Sequence, residues 1–249
     1  MEYLLAVICG AAIGSILGFV GAGGSMVAVP ILVYLYGMSP VQATTASLII
    51  VFSGAFSGVL AKLKSRDVLI RESLTIWALG LVTNFGGAYL LPRIPESLIL
   101  TGFSLVLIGA GASMLLPAPS NSTERRVSPL ALVGISLLIG ALTGLFGIGG
   151  GFLAIPILVL FYNVAPAKAA GTSLFIITIN TITGFFAHYR HWADVDWAAP
   201  IIIAITAVLV SRLASHRSAR VSPLTLKRAF ALTVFAIAAF TLIETWLIS

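Results

Sequence analysis

GAGGSMVAVPIL, residues 21–32, sets three glycines and a proline inside an apolar stretch that would otherwise continue as helix. Residues 147–158 repeat the pattern as GIGGGFLAIPIL, at an offset of 126. Aligned without gaps at that offset, residues 18–61 match residues 144–187 at 17 of 44 positions. The matches include Gly21/Gly147, Gly23/Gly149, Gly24/Gly150, Pro30/Pro156, Pro40/Pro166, Ser47/Ser173 and Gly58/Gly184. Self-similarity at a fixed offset marks an internal duplication.

The rest of the chain fixes the solvent in which this duplication folds. Of 249 residues, 59% are hydrophobic and 9% charged, and the mean hydropathy is +1.10. Soluble domains carry roughly a quarter charged residues, so an all-α polytopic membrane protein is expected, with the lipid bilayer as its surroundings. The opening MEYLLAVICGAAIGSILGF has Glu2 where a secretory signal has a basic region, and is expected to be the first span. Cys9 stands alone within it, so neither a disulfide framework nor a metal spacing arises, and no metal or cofactor is expected. The net charge of +6 comes from basic residues in short loops, where they act as orientation signals and not as a nucleic-acid patch.

Residues 117–129, PAPSNSTERRVSP, read as an exposed linker between a first repeat, 1–116, and a second, 130–249. Each repeat divides into five apolar segments, about 3–21, 24–36, 40–62, 72–91 and 97–116, then 130–147, 150–162, 167–188, 198–213 and 225–248. The second segment of each is short: 13 residues of helix rise about 20 Å against a core of about 30 Å. If all ten segments cross, twelve Lys and Arg fall on one side of the membrane, with Arg93 and Arg190 alone on the other. If the two short segments turn back, the division is seven against seven. The excess of Lys and Arg in cytoplasmic loops favours ten spans, both termini outside the cytoplasm and two inverted five-segment repeats. Inverted repeats broken at matching positions mark secondary transporters, with the substrate site near the midplane.

The glycines of the break admit positive φ and a close ligand, and the helix that follows offers unpaired N–H groups and the positive end of its dipole. A small anion suits such a place. The candidate substrate site therefore comprises Gly21, Gly23, Gly24 and Ser25 from the first break and Gly147, Gly149, Gly150 and Gly151 from the second. Ser47, Thr172, Ser173 and Asn180 on the following spans, and Asn84 in the fourth, add polar uncharged groups. Outside the breaks, Gly10-x-x-x-Gly14-x-x-x-Gly18 and Gly140-x-x-x-Gly144 are expected to bring helices close together. His188, Arg190 and His191 close a span and are read as an interfacial cap, with a basic vestibule that draws anions as the alternative.

The paired glycine strings, each followed by a span opening with proline (SPVQATTASL and APAKAAGTSL), resemble the sulfite exporter TauE/SafE family of bacterial and archaeal membrane transporters. That resemblance implies a multi-pass protein of the prokaryotic cytoplasmic membrane. It also implies movement of small, often sulfur-containing anions such as sulfite or sulfoacetate. An anion channel or a membrane partner subunit is the rival reading, and self-association into a homo-oligomer is left open. A membrane-embedded enzyme would need carboxylates, His or Cys grouped at membrane depth. Glu72, Asp67, Asp194, Asp196 and Glu244 instead lie at span ends, in loops or alone.

Overall fold

The computed structural model describes residues 2–20, 25–64, 66–115, 128–160, 164, 166–218 and 223–248. The glycines of the first break, and residues 117–127 of the linker, lie outside the described residues. Ten α-helices are found among those described: α1 (Glu2–Val20), α2 (Ser25–Tyr36), α3 (Pro40–Lys64), α4 (Ile70–Leu90), α5 (Glu96–Leu115), α6 (Pro129–Phe146), α7 (Gly151–Leu160), α8 (Pro166–Ala187), α9 (Ala198–Ser218) and α10 (Pro223–Ile243). Their bounds follow the ten apolar segments closely, apart from α9, which runs five residues further. By length and composition alone six helices qualify as spans, and Glu2–Gly18, Met26–Tyr36 and Ala198–Ala214 are shorter apolar helices. The last expected segment ends differently, since its final residues, Glu244–Ile248, wind as a π-helix.

Local chemistry explains where the helices start and stop. Ser128 accepts from Ala131 N–H at 3.2 Å, and Pro129 occupies the first helical position of α6, where its missing N–H costs nothing. Ser39 and Gln42 form a reciprocal capping box at the start of α3: Ser39 N–H donates to Gln42 Oε1 at 3.0 Å, and Gln42 N–H donates to Ser39 Oγ at 3.3 Å. At the far end of α6, Gly147 takes φ +66°, and its N–H returns to Thr143 O.

Small residues then decide which helices meet. Gly10, Gly14 and Gly18 of α1 lie against Ile203, Ala207 and Ser211 of α9. Residue numbers rise together along that contact, so the helices run parallel. Gly80 and Gly87 of α4 meet Ser136, Gly140, Gly144 and Leu145 of α6 in the same sense, and Thr83 Oγ1 donates across to Leu137 O at 2.6 Å. Without a hydrophobic force between helices in lipid, such close backbone approach supplies the attraction. The helix α3 crosses α8 in the opposite sense, with Thr45 beside His188, Leu48 beside Gly184 and Gly58 beside Leu174.

The bundle has a largely apolar core with a set of polar residues buried in it, and an apolar exterior. Asn84, Asn180, Ser47, Ser173, Thr44 and Thr172 are buried, while Val82 is 76%, Leu232 69% and Leu213 67% exposed. That distribution fits a surface in hydrocarbon and not in water. The short helices return towards the end from which the preceding helix came. Tyr36, the last residue of α2, reaches Glu2 O at the start of α1. Leu158 and Val164, at and after the end of α7, cluster with Leu132 and Ile135 near the start of α6.

Candidate functional site

Three consecutive features build the second break. Gly147, Gly149 and Gly150 have φ of +66°, +70° and +61°, a backbone that residues with a Cβ adopt only under strain. Space is as restrictive as conformation. A Cβ on Gly147 would overlap Ser47 Oγ and stand 2.6 Å from Thr44 O, and one on Gly150 would stand 2.7 Å from Ile139 O. Ile139 lies eight residues before Gly147 in α6, about 12 Å down the helix axis. The chain therefore drops back along α6 before α7 begins, and α7 starts deep inside the bundle. Residues 147–151 are all buried, so protein encloses the break, as non-helical backbone at membrane depth requires.

Two serines hold its ends. Ser47 Oγ of α3 lies 2.8 Å from Thr44 O and 3.2 Å from Gly147 O and shares its proton between them. Ser173 Oγ of α8 donates to Gly151 O. The two occupy equivalent places in the duplicated sequence, yet grip opposite ends of one break. The Thr172 hydroxyl is also committed, accepting from Leu69 N–H at 3.0 Å and donating to Lys168 O at 2.7 Å. These three hydroxyls spend their donors on backbone.

The amides behave differently. Asn84 Nδ2 donates to Asn180 O at 3.1 Å and lies 3.4 Å from Thr183 Oγ1. Asn84 Oδ1, both side-chain polar atoms of Asn180, and Thr44 Oγ1 are buried with no hydrogen-bond partner among the described residues. A buried unsatisfied amide costs about 1–3 kcal/mol, so a fold keeps one only where something offsets it. Gly184, one turn beyond Asn180, faces Leu48, Asn84 Oδ1 and Thr143. The structure therefore brings Asn84 and Asn180 together where α3, α4, α6 and α8 meet, and gathers Ser47, Ser173, Gly147, Gly149, Gly150 and Gly151 around the break. Thr172 stands apart, where the chain enters α4. Gly21, Gly23, Gly24 and the Ser25 side chain fall outside the described residues.

Sequence reasoning passed over His188. It is 1% exposed and is no interfacial cap: its Nε2 lies 2.9 Å from Gly144 O and its Nδ1 3.2 Å from Thr45 Oγ1. The signal available in the sequence was its place one residue past the polar face of α8. Trp192 Nε1–H donates to Phe185 O at 3.0 Å and Trp197 Nε1–H to Trp192 O at 2.9 Å.

A bundle of apolar helices with an apolar exterior, buried polar residues and a buried glycine break defines a polytopic membrane protein. The profile of the sulfite exporter TauE/SafE family matches residues 6–241, and the chain belongs to that family. It is 28% identical over 246 residues to a probable membrane transporter protein of Xylella fastidiosa, covering 95% of this chain and 94% of the relative. A probable membrane transporter protein of Bacillus subtilis is 28% identical over 214 residues, 76% of this chain and 78% of its own. One from Methanocaldococcus jannaschii is 25% identical over 237 residues, 88% and 87% of the two chains. This is a transporter family and not an enzyme family.

Proposed function

We propose that the protein is a secondary transporter of small anions, most naturally sulfite, sulfoacetate or related organosulfur acids, working by alternating access around the buried break. The observation that carries this reading is the deep start of α7 behind three glycines of left-handed φ. A helix that starts inside the bundle turns N–H groups and a positive dipole end towards the interior. Broken helices of this kind recur where transporters hold anionic groups.

An inverted two-repeat architecture is supported by the helix pairings. Shifting residue numbers by 126, up in the first half and down in the second, turns the contact of α1 with α9 into the contact of α6 with α4: Gly14 on Ala207 maps to Gly140 on residue 81, next to Gly80, which Gly140 faces. The contact of α3 with α8 maps onto itself, as a two-fold axis in the membrane plane would require. One half rocking against the other around that axis would expose the break to each side in turn. The Lys and Arg distribution puts both termini outside the cytoplasm. Asn180 supplies the donor that an anion's oxygen needs, and bulk at the break should block entry.

The test is counterflow of radiolabelled sulfite in proteoliposomes, with thiosulfate, sulfoacetate, taurine and simple carboxylates as competitors. Counterflow distinguishes a carrier from a channel. Gly149→Leu is expected to abolish it: its Cβ would stand 2.8 Å from Thr181 Cγ2 and 2.9 Å from Ile177 Cγ2 at a φ of +70°, so size exclusion establishes that the variant folds before exchange is measured. Normal sulfonate and sulfite exchange by a well-folded Gly149→Leu protein sinks the proposed site.

Asn180→Ala offers a sharper comparison. A side chain whose buried polar atoms lack protein partners is itself a cost to folding of about 1–3 kcal/mol, so its removal should leave stability unchanged or raise it. Exchange should fall at least tenfold. Unfolding of Asn180→Ala with exchange intact in the folded remainder would make the residue structural.

A further inference from the structure

His188 is fully enclosed, and it joins three elements at once. It follows α8, its Nε2 meets Gly144 O of α6, and its Nδ1 meets Thr45 Oγ1 of α3. Both partners border the break: Gly144 is three residues before Gly147, and Thr45 lies between Thr44 and Ser47, whose oxygens crowd Gly147. The ring thus clamps together the two helices that hold one end of the break.

Its proton inventory follows from its partners. A carbonyl only accepts, so Nε2 carries hydrogen. In the neutral ring Nδ1 needs a donor, which the Thr45 hydroxyl supplies. When the ring is protonated, Nδ1–H donates to Thr45 Oγ1, and the hydroxyl turns to Val41 O, 2.8 Å away. The same three residues therefore hydrogen-bond either protonation state.

Charge separates the two states. From α3 and α6 the ring faces a hydroxyl and a carbonyl, and α6 carries no ionisable side chain. Lys62 and Lys64 of α3 lie at that helix's opposite end. The nearest titratable group is His191, with ring centroids 6.5 Å apart and its own Nδ1 3.3 Å from Asp194 Oδ2. Arg190 is engaged with the Tyr189 hydroxyl, and Arg93 stacks on Tyr89 at 3.8 Å. Among the described residues no carboxylate touches the ring, so a proton on His188 in this conformation is a buried charge without a counter-ion there, which is costly. His191 and Asp194 line an open cleft of about 460 Å³ with Ser39, Val41, Gln42 and Pro92. His191 thus lies both beside the ring and on the cleft.

We propose that His188 is a proton-binding site that couples the transporter to pH: the neutral ring locks α3, α6 and the end of α8 over the break, and protonation from the cleft releases them. This rests on the carrier reading, with the proton as the ligand whose uptake accompanies opening. Burial and the neighbouring His191 hold the ring down at about 4, against the backbone bond to Gly144, which favours the charged form. Since the locked-state value lies below the value of a solvated imidazole, about 6.5, the lock is at full strength above about 6.5 and is lost as the pH falls towards 4.

Hydrogen exchange on the full chain in nanodiscs, at pH 8 and pH 5 and corrected for the intrinsic rate, tests this without a substrate. The 141–150 backbone is expected to exchange at least tenfold faster at pH 5 in the native protein. In His188→Gln the difference should vanish, and in His191→Gln it should persist. Equal pH responses in the native and His188→Gln proteins, or no response in the native one, overturn the proposal. If His188→Gln does not fold, nitrogen-15 histidine spectra of the unaltered protein decide. A neutral Nε2–H ring titrating well below the other histidines supports the site, and three ordinary titrations refute it. Neither measurement involves sulfite, so counterflow can succeed or fail independently.

Discussion

Gly147→Val should be among the most damaging single changes in the molecule, losing both folded protein and exchange activity. The valine must adopt φ near +66°, where a Cβ costs about 1–2 kcal/mol and a β-branched side chain more. It must also displace Ser47 Oγ, removing a hydrogen bond of roughly 1 kcal/mol, and press on Thr44 O, a backbone atom that cannot rotate away. The sum is roughly 4 kcal/mol, a large part of a typical stability. Gly37→Ala is the matched control, since Gly37 has φ +63° with nothing within 4 Å of its Cβ position. It should cost only the backbone part, about 1 kcal/mol. Thermal unfolding of both variants in detergent reads the difference, and equal midpoints would show that the crowding around Gly147 is relieved at no cost.

Gly140→Leu should have an effect of similar size for a different reason. Its backbone is ordinary helix, but a Cβ there would overlap Gly80 O and crowd Thr83 Oγ1. The helices α4 and α6 would have to separate, breaking the Thr83 to Leu137 bond and the small-residue contact along their length. Gly134→Leu, on the same helix with nothing within 4 Å, adds the same side chain where there is room. We expect Gly140→Leu to lose the monodisperse peak in size exclusion at least tenfold, with Gly134→Leu near the native yield. Similar yields for the two would contradict the parallel pairing of α4 with α6.

Much of this was legible in the sequence, because it depends on local chemistry. Gly10, Gly14, Gly18, Gly140 and Gly144 announced close helix contacts by their spacing alone. Ser128 and Pro129, read as the end of the linker, instead cap and open α6, while the doubled glycine string located the second break within a residue. Asn84 and Asn180 were conspicuous as amides in apolar spans. Ser47 and Ser173 were recognised as belonging to the break, although their sequence neighbours could not reveal that they bind its carbonyls from two different helices. His188 looked like a surface residue, because its burial depends on Thr45 and Gly144, respectively 143 and 44 residues away.

The sequence by itself determined the membrane class, the ten helices and the duplicated break, since hydropathy, helix length and glycine conformation are properties of a few neighbouring residues. Only the tertiary structure decided that α1 pairs with α9 and α4 with α6, that α7 starts deep beside Ile139, and that His188 is sealed between α3 and α6. In lipid an apolar helix surface does not by itself favour one partner over another. Partner choice therefore turns on the fit of small residues and on which buried polar groups find one another, and neither can be read until the helices are brought together.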